Sequence, residues 1–205
     1  MTKIKVYQAC VLSTLLYGSE SWTTYARHEK RLDVLHMRCL RKILGLTWKD
    51  KVPNTEVLER ANLASMPAIL CKRRLRWLGH VRRMNDDRLP KQVMYGELAD
   101  GKRKRGRPVL RYKDVCKSSL QRCGIAINSW EEKAQKRDGW REAITCGTSS
   151  LDTNLKKNQE DKRKKRKERP VTQHYSRVSL TCTFCGRCFS ANIGRISHER
   201  RCGRN

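Results

Sequence analysis

Acidic side chains are scarce in this sequence. Only 20 Asp and Glu stand against 47 Lys and Arg, leaving a formal net charge of +27 over 205 residues. A compact fold with that imbalance repels itself, and contact with a polyanion is the readiest relief. Long apolar runs are missing as well, so no segment is expected to span a bilayer. Residues 6–17, preceded by Lys3 and Lys5, imitate a secretory signal, but Tyr7 and Gln8 interrupt the run. No small-x-small cleavage site follows before Glu20. An anionic membrane surface would call for an amphipathic anchor or a lipidation motif, and the chain ends in Gly-Arg-Asn.

Arrangements for catalysis are also wanting. No Ser/His/Asp or Cys/His nucleophile pattern stands out, and His28, His36, His80 and His174 are isolated. The Asp-Asp pair Asp86-Asp87 falls between a helix end and Leu89-Pro90 with no flanking strand pattern, so it reads as a loop or cap. No catalytic residue and no small-molecule substrate are therefore expected.

What is present is helical periodicity. A chain of this size allows one modest domain and an appended module. Strand signals are weak before the C-terminus, and no internal repeat is visible. Apolar spacing predicts helices over residues 4–17 and 26–44, the second with Leu32, Leu35, Cys39 and Ile43 on one stripe and Gly45 as its stop. Asn54 is placed to cap a short helix carrying Val57, Leu58 and Ala61, and Ser65 with Pro67 to open a longer one through Trp77 and Val81. Residues 101–108, GKRKRGRP, break the pattern with two glycines, a proline and five positive charges. Helical spacing resumes at Tyr112, Cys116, Leu120 and Cys123, and Ser129 with Glu132 reads as a capping box for a last helix through Trp140 and Ile144.

The fold class is thus mainly α: a helical body (residues 1–100), a basic GRP segment with a helical connection (101–146), a disordered basic linker (147–177) and a small C-terminal module (178–205). Disorder is expected of the linker because it is polar, almost without large apolar side chains, and contains KRKKRKER at 162–169. The charge is not confined to that tail. Residues 1–150 carry 32 basic against 15 acidic side chains, and residues 151–205 carry 15 against 5.

Of the ten cysteines, six (Cys10, Cys39, Cys71, Cys116, Cys123, Cys146) are scattered singly through apolar stretches, where a reduced thiol acts as a small hydrophobe. The other four crowd the C-terminus. Cys182, Cys185, His198 and Cys202 form C-x2-C-x12-H-x3-C, in which a tight turn aims two thiolates at one ion and a helical turn brings His198 and Cys202 to one face. Three sulfurs and one nitrogen suit a single structural zinc ion with no open position for catalysis. Phe189 is the apolar residue expected to cover the site, with Ile193 and Ile196 as packing partners; the module would be a short β-hairpin plus a helix. Cys188 is a fifth thiol able to replace one of the four.

Three basic tracts suit phosphate. Arg73, Arg74, Arg76, Arg82 and Arg83 surround Trp77 on one helix; Trp77 reads as a core anchor with the arginines on the solvent side. Arg105-Gly106-Arg107-Pro108 resembles an AT-hook, an extended element for the narrow minor groove. Lys164, Lys165 and Arg166 lie in the charge run, which also suits nuclear localisation.

Taken in order, LLYGSESW (15–22), HMRCLRKILGL (36–46), RRLRWLGHVRRM (73–84), GRPVLRYKD (106–114), KRDGWRE (136–142) and CGRCFSANIGRISHERRC (185–202) resemble the C-terminal portion of a LINE-type (non-LTR) retrotransposon reverse transcriptase. The resemblance implies a thumb, a basic connection gripping template and primer, and a terminal zinc finger. It also implies what is missing: the polymerase palm, whose paired aspartates hold two magnesium ions, and the endonuclease. The expected partner is nucleic acid, RNA or DNA, in the nucleus. Two alternatives belong to other classes: a part of an RNA-directed DNA polymerase assembly, or a zinc-finger module that binds a protein.

Overall fold

Apolar side chains three and four residues apart recur through most of the chain, and each run becomes a helix that buries its stripe against the next. The computed structural model describes residues 2–96, 106, 110–168 and 180–202. Residues 1–160 and 161–205 form two compact units. No described helix is long and apolar enough to cross a membrane.

The body begins with α1 (Thr2–Val6), a π-helical segment (Tyr7–Leu12) and α2 (Ser13–Leu15). Tyr7, Leu12 and Leu16 are buried from this stretch. Gly18, at φ +67°, turns the chain in the left-handed region that a side chain disfavours. Next comes α3 (Ala26–Ile43), whose buried residues are His36, Met37 and Leu40. Its face is rotated from the expected one, because Leu35 is 40% exposed. Sequence alone treats His36 as polar, yet its Nδ1 stands 2.9 Å from the Tyr7 hydroxyl inside the core. Burial of that hydroxyl pushes the Tyr7 pKa up to about 12.

Helices α4 (Asn54–Ala61) and α5 (Met66–Arg83) follow. α4 lacks the cap expected from Asn54, whereas Ser65 at the N-cap and Pro67 in the first turn open α5 as expected, though the Ser65 side chain makes no cap hydrogen bond. Asn54 lies inside α4, and its Oδ1 accepts from Arg41 Nη2 at 2.8 Å. At the start of α5 the Ser65 N–H donates to Asp152 Oδ1 at 3.0 Å, so a distant carboxylate serves that end.

α5 is the spine of the body. Its Met66 and Leu70 join an N-terminal core with Leu16, Leu40, Val57 and Leu58. Its Cys71, Leu75 and Leu78 join a second core with Leu120, Trp130, Trp140 and Ile144. Each such leucine, moved from water to the interior, contributes about 1.5–3 kcal/mol. The second core is completed by α6 (Leu89–Tyr95), α7 (Tyr112–Arg122), α8 (Trp130–Gln135) and α9 (Arg137–Glu168). Cys71, Cys116 and Cys123 are buried there as small hydrophobes, with the Cys71 and Cys123 sulfurs 3.1 Å apart. No capping box forms at Ser129, whose side chain makes no cap hydrogen bond.

α9 corrects the expectation of disorder. Over residues 147–168 the chain is helical. Gly147, Thr148 and Leu151 are buried on the body, and Leu155 packs beside them. Bare Gly147 permits this: a Cβ there would lie 2.6 Å from the Cys123 carbonyl oxygen. Beyond Lys156 every described side chain of α9 is exposed, and good helix formers carry it onward. Residues 169–177 lie outside the described residues.

Candidate metal centre and basic groove

The C-terminal module is built around a tight turn. Strands β1 (Leu180–Thr181) and β2 (Cys188–Phe189) pair antiparallel, with Leu180 opposite Phe189 and Thr181 opposite Cys188. Within the turn the Gly186 N–H donates to the Cys182 carbonyl at 3.0 Å, and the Cys182 N–H to the Arg187 carbonyl at 2.9 Å. Gly186 adopts φ +70°, which a residue without Cβ tolerates. Helix α10 (Asn192–Cys202) then returns His198 and Cys202 to the turn. Glu199 ties the two parts together: its Oε1 accepts from the Thr183 N–H at 3.2 Å, and its carboxylate holds Arg195 at 2.7 and 2.8 Å.

These elements gather one Sγ each from Cys182, Cys185 and Cys202 and a ring nitrogen of His198, all within 4.8 Å of one another. Cys185 Sγ and His198 Nε2 are 3.1 Å apart. A tetrahedral ion with bonds of roughly 2.0–2.3 Å needs its ligand atoms about 3.5–3.8 Å apart, so small adjustments bring all four into register. The cluster can hold one metal ion.

Its electrostatics agree. Burial opposes ionisation of Cys182, but the N–H groups of Cys185 and Phe184 outweigh it and hold its pKa below the ordinary thiol value. The hydrogen bond with Cys185, helped by burial, pushes Cys202 up to about 11. Crowded thiols cannot all ionise by themselves, and a dication reverses that penalty. Cys188 is exposed on β2 and takes no part in the cluster.

Phe189 covers the site as expected, its ring centroid 5.0 Å from that of His198. Its packing partner is different. Ile193 is 83% exposed and Ile196 39% exposed, whereas Gly194 would bring a Cβ to 3.5 Å from the Phe189 ring.

The basic residues fare unevenly. Arg74 is corrected outright: only 1% exposed, it donates from Nη1 to Ser119 Oγ at 2.8 Å and from Nη2 to Thr24 Oγ1 at 2.9 Å. Its guanidinium joins helices and does not face solvent. Arg82 lies 3.2 Å from Glu131. Lys164, Lys165 and Arg166 are exposed on α9. Arg105 and Arg107 lie outside the described residues, as does His174. Asp86 and Asp87 stand on an exposed turn before α6, where Asp86 pairs with Lys91 at 2.7 Å.

Arg73, Arg76 and Arg83 instead line an open groove of about 560 Å³ on α5 and α9. Arg73 Nη1 also donates to the Leu16 carbonyl at 2.8 Å, and Arg83 Nη1 to the Ala134 carbonyl at 2.6 Å. Sequence reasoning overlooked the other half of this wall, Arg137 and Arg141, together with Glu20 and His80. The signal was available in KRDGWRE, a second tryptophan flanked by cations as Trp77 is.

Trp77 is half-buried and lines the groove, while Trp140, 2% exposed, takes the core position. Trp77 is thus not the core anchor that the sequence suggests.

Over 157 residues the chain is 26% identical to a transposon-derived protein of Caenorhabditis elegans, covering 72% of this chain and 56% of the relative. The chain therefore spans about half the length of the curated relative it matches. No family model and no solved structure matches it. The likeness is a distant homology to a transposon-derived protein.

Proposed function

We propose that this chain binds nucleic acid in the nucleus, has no polymerase chemistry of its own, and corresponds to the region after the palm in a LINE-type reverse transcriptase. Its terminal module would be a zinc finger. Among common ions, zinc best matches three soft sulfurs and one imidazole with no vacant position. The transposon-derived relative supports the lineage, and the placement of Asp86-Asp87 on an exposed turn between α5 and α6, with Asp86 paired to Lys91, supports a structural and not a polymerase role for that pair.

One observation carries the binding. Residues 162–167, Lys-Arg-Lys-Lys-Arg-Lys, are exposed along α9, and among the described residues none makes an ion pair. Six adjacent cations, flanked only by Glu160, Asp161 and Glu168 and ion-paired to none of them, keep a net positive field that favours an external anion. Binding to duplex DNA or single-stranded RNA should therefore weaken steeply with salt, each phosphate contact adding about 0.9 to the log–log slope for duplex and about 0.7 for single strands. Changing Lys164, Lys165 and Arg166 together to Ala is expected to lower the duplex slope by about 2–3 and to weaken all sequences alike. Fluorescence anisotropy over a salt series measures both. A complex indifferent to ionic strength that survives excess DNA would instead point to a protein partner.

A further inference from the structure

The groove on α5 and α9 has two properties that a solvated cationic face does not require. First, Arg73, Arg76, Arg83, Arg137 and Arg141 converge on one concavity in which, among the described residues, Glu20 is the one lining carboxylate, while Arg141 also stands 3.9 Å from the exposed Asp138. Burial first, and the nearby Arg137 charge second, lower the pKa of Arg83, so these two guanidiniums lie within electrostatic reach of each other. Secondly, the groove offers an aromatic surface. Trp77 lines it half-buried, beside His80 at a ring-centroid distance of 5.4 Å.

A volume of about 560 Å³ lies within the range of roughly 300–1,000 Å³ that small-ligand sites occupy, so the space admits a nucleotide-sized group. Charge and ring together select the occupant. A duplex presents phosphates but hides its base faces in the stack. A baseless polyanion presents charge and no flat face. An unpaired strand presents both, and aromatic platforms in cationic channels hold such strands with little regard to sequence.

We propose that this groove binds an unpaired stretch of nucleic acid, one base lying against Trp77 while the flanking phosphates meet Arg76, Arg137 and Arg141. The inference rests on the nucleic-acid-binding reading and adds to it a site and a strand state. Trp77 acts as a stacking platform, and His80 limits how far the base can slide.

The test uses the full chain with three probes: a mixed-sequence single-stranded oligonucleotide, the duplex of the same sequence, and heparin. Trp77→Ala should weaken single-strand binding about tenfold. Duplex and heparin affinities should stay within twofold, and Trp77→Phe should restore most of the loss. Arg141→Ala should weaken single-strand binding as well. Single-strand titration should also quench intrinsic fluorescence; of the five tryptophans, Trp77 is the one expected to respond, so Trp77→Phe should abolish most of the quench while keeping affinity.

Equal loss for all three probes in Trp77→Ala would overturn the groove, since it signals altered charge placement or fold. Unchanged quenching in Trp77→Phe would do the same, with no dependence on how well the alanine variant folds. Unaltered single-strand affinity in Trp77→Ala would remove the groove and leave the broader function standing. Failure of the unmodified chain to bind any polynucleotide would sink both.

Discussion

His198→Ala should strip the metal from the C-terminal module and unfold residues 180–202, while the helices of residues 2–160 keep their structure. The module has almost nothing else to hold it. Among its described residues Cys182 is the one buried side chain, and Phe184 is 66% exposed. Two-residue strands and the eleven-residue α10 would not persist alone, because isolated helices shorter than about 12–15 residues are marginal in water. Structural zinc supplies about 10–16 kcal/mol at neutral pH, and a missing ligand forfeits much of it. Metal analysis should therefore give one zinc per unmodified chain and well under one for His198→Ala. Amide exchange should lose protection across residues 180–202 alone. Cys188→Ser is the matched control and should keep a full complement, since that thiol stands outside the cluster. A His198→Ala protein that retained one tightly held zinc and an ordered α10 would refute the ligand set.

This centre was readable in the sequence because spacing encodes it directly. A C-x2-C turn and an i, i+4 pair on a helix leave little freedom in where four donors point. The helices were readable for a related reason: apolar period and glycine stops are local signals. Side-chain destinations were not. Arg74 and Arg73 are neighbours of the same type, yet α5 turns one toward Ser119 and Thr24 and leaves the other on the groove. Nothing local distinguishes them, because the difference lies in which helices arrive opposite. Residues 147–168 failed for a similar reason. Composition registers their polarity, whereas order comes from the docking of Gly147, Thr148 and Leu151 onto a core assembled far away in sequence.

The docking of α9 makes the second large effect specific. Gly79→Ala should destabilise the body by about 3 kcal/mol, against the expectation for a mid-helix glycine, where alanine ordinarily gains up to about 1 kcal/mol. The reason is a close approach. A Cβ on Gly79 would lie 2.0 Å from Trp140 Nε1 and 2.4 Å from its Cδ1, so the indole, 2% exposed and packed in the second core, would have to shift. Trp140 Nε1 donates to the Leu75 carbonyl at 3.0 Å, one turn before Gly79, and its ring lies 6.2 Å from that of Trp130.

Displacing that ring forfeits packing comparable to a Trp→Ala truncation, about 3–5 kcal/mol, of which helix propensity returns a part. For a chain of this size the melting temperature should fall by about 10 °C, since each kcal/mol shifts it by roughly 2–4 °C. Urea or thermal denaturation measures the loss, and a Gly79→Ala protein as stable as the parent would contradict the packing described here. The double variant isolates the cause. In a Trp140→Ala background the methyl meets no ring, so Gly79→Ala should turn neutral or slightly stabilising, a non-additivity expected only of residues in direct contact. Because Trp140 also lies beneath the groove that holds Trp77, Gly79→Ala should cost single-strand affinity too, and Trp140→Ala should not rescue that loss.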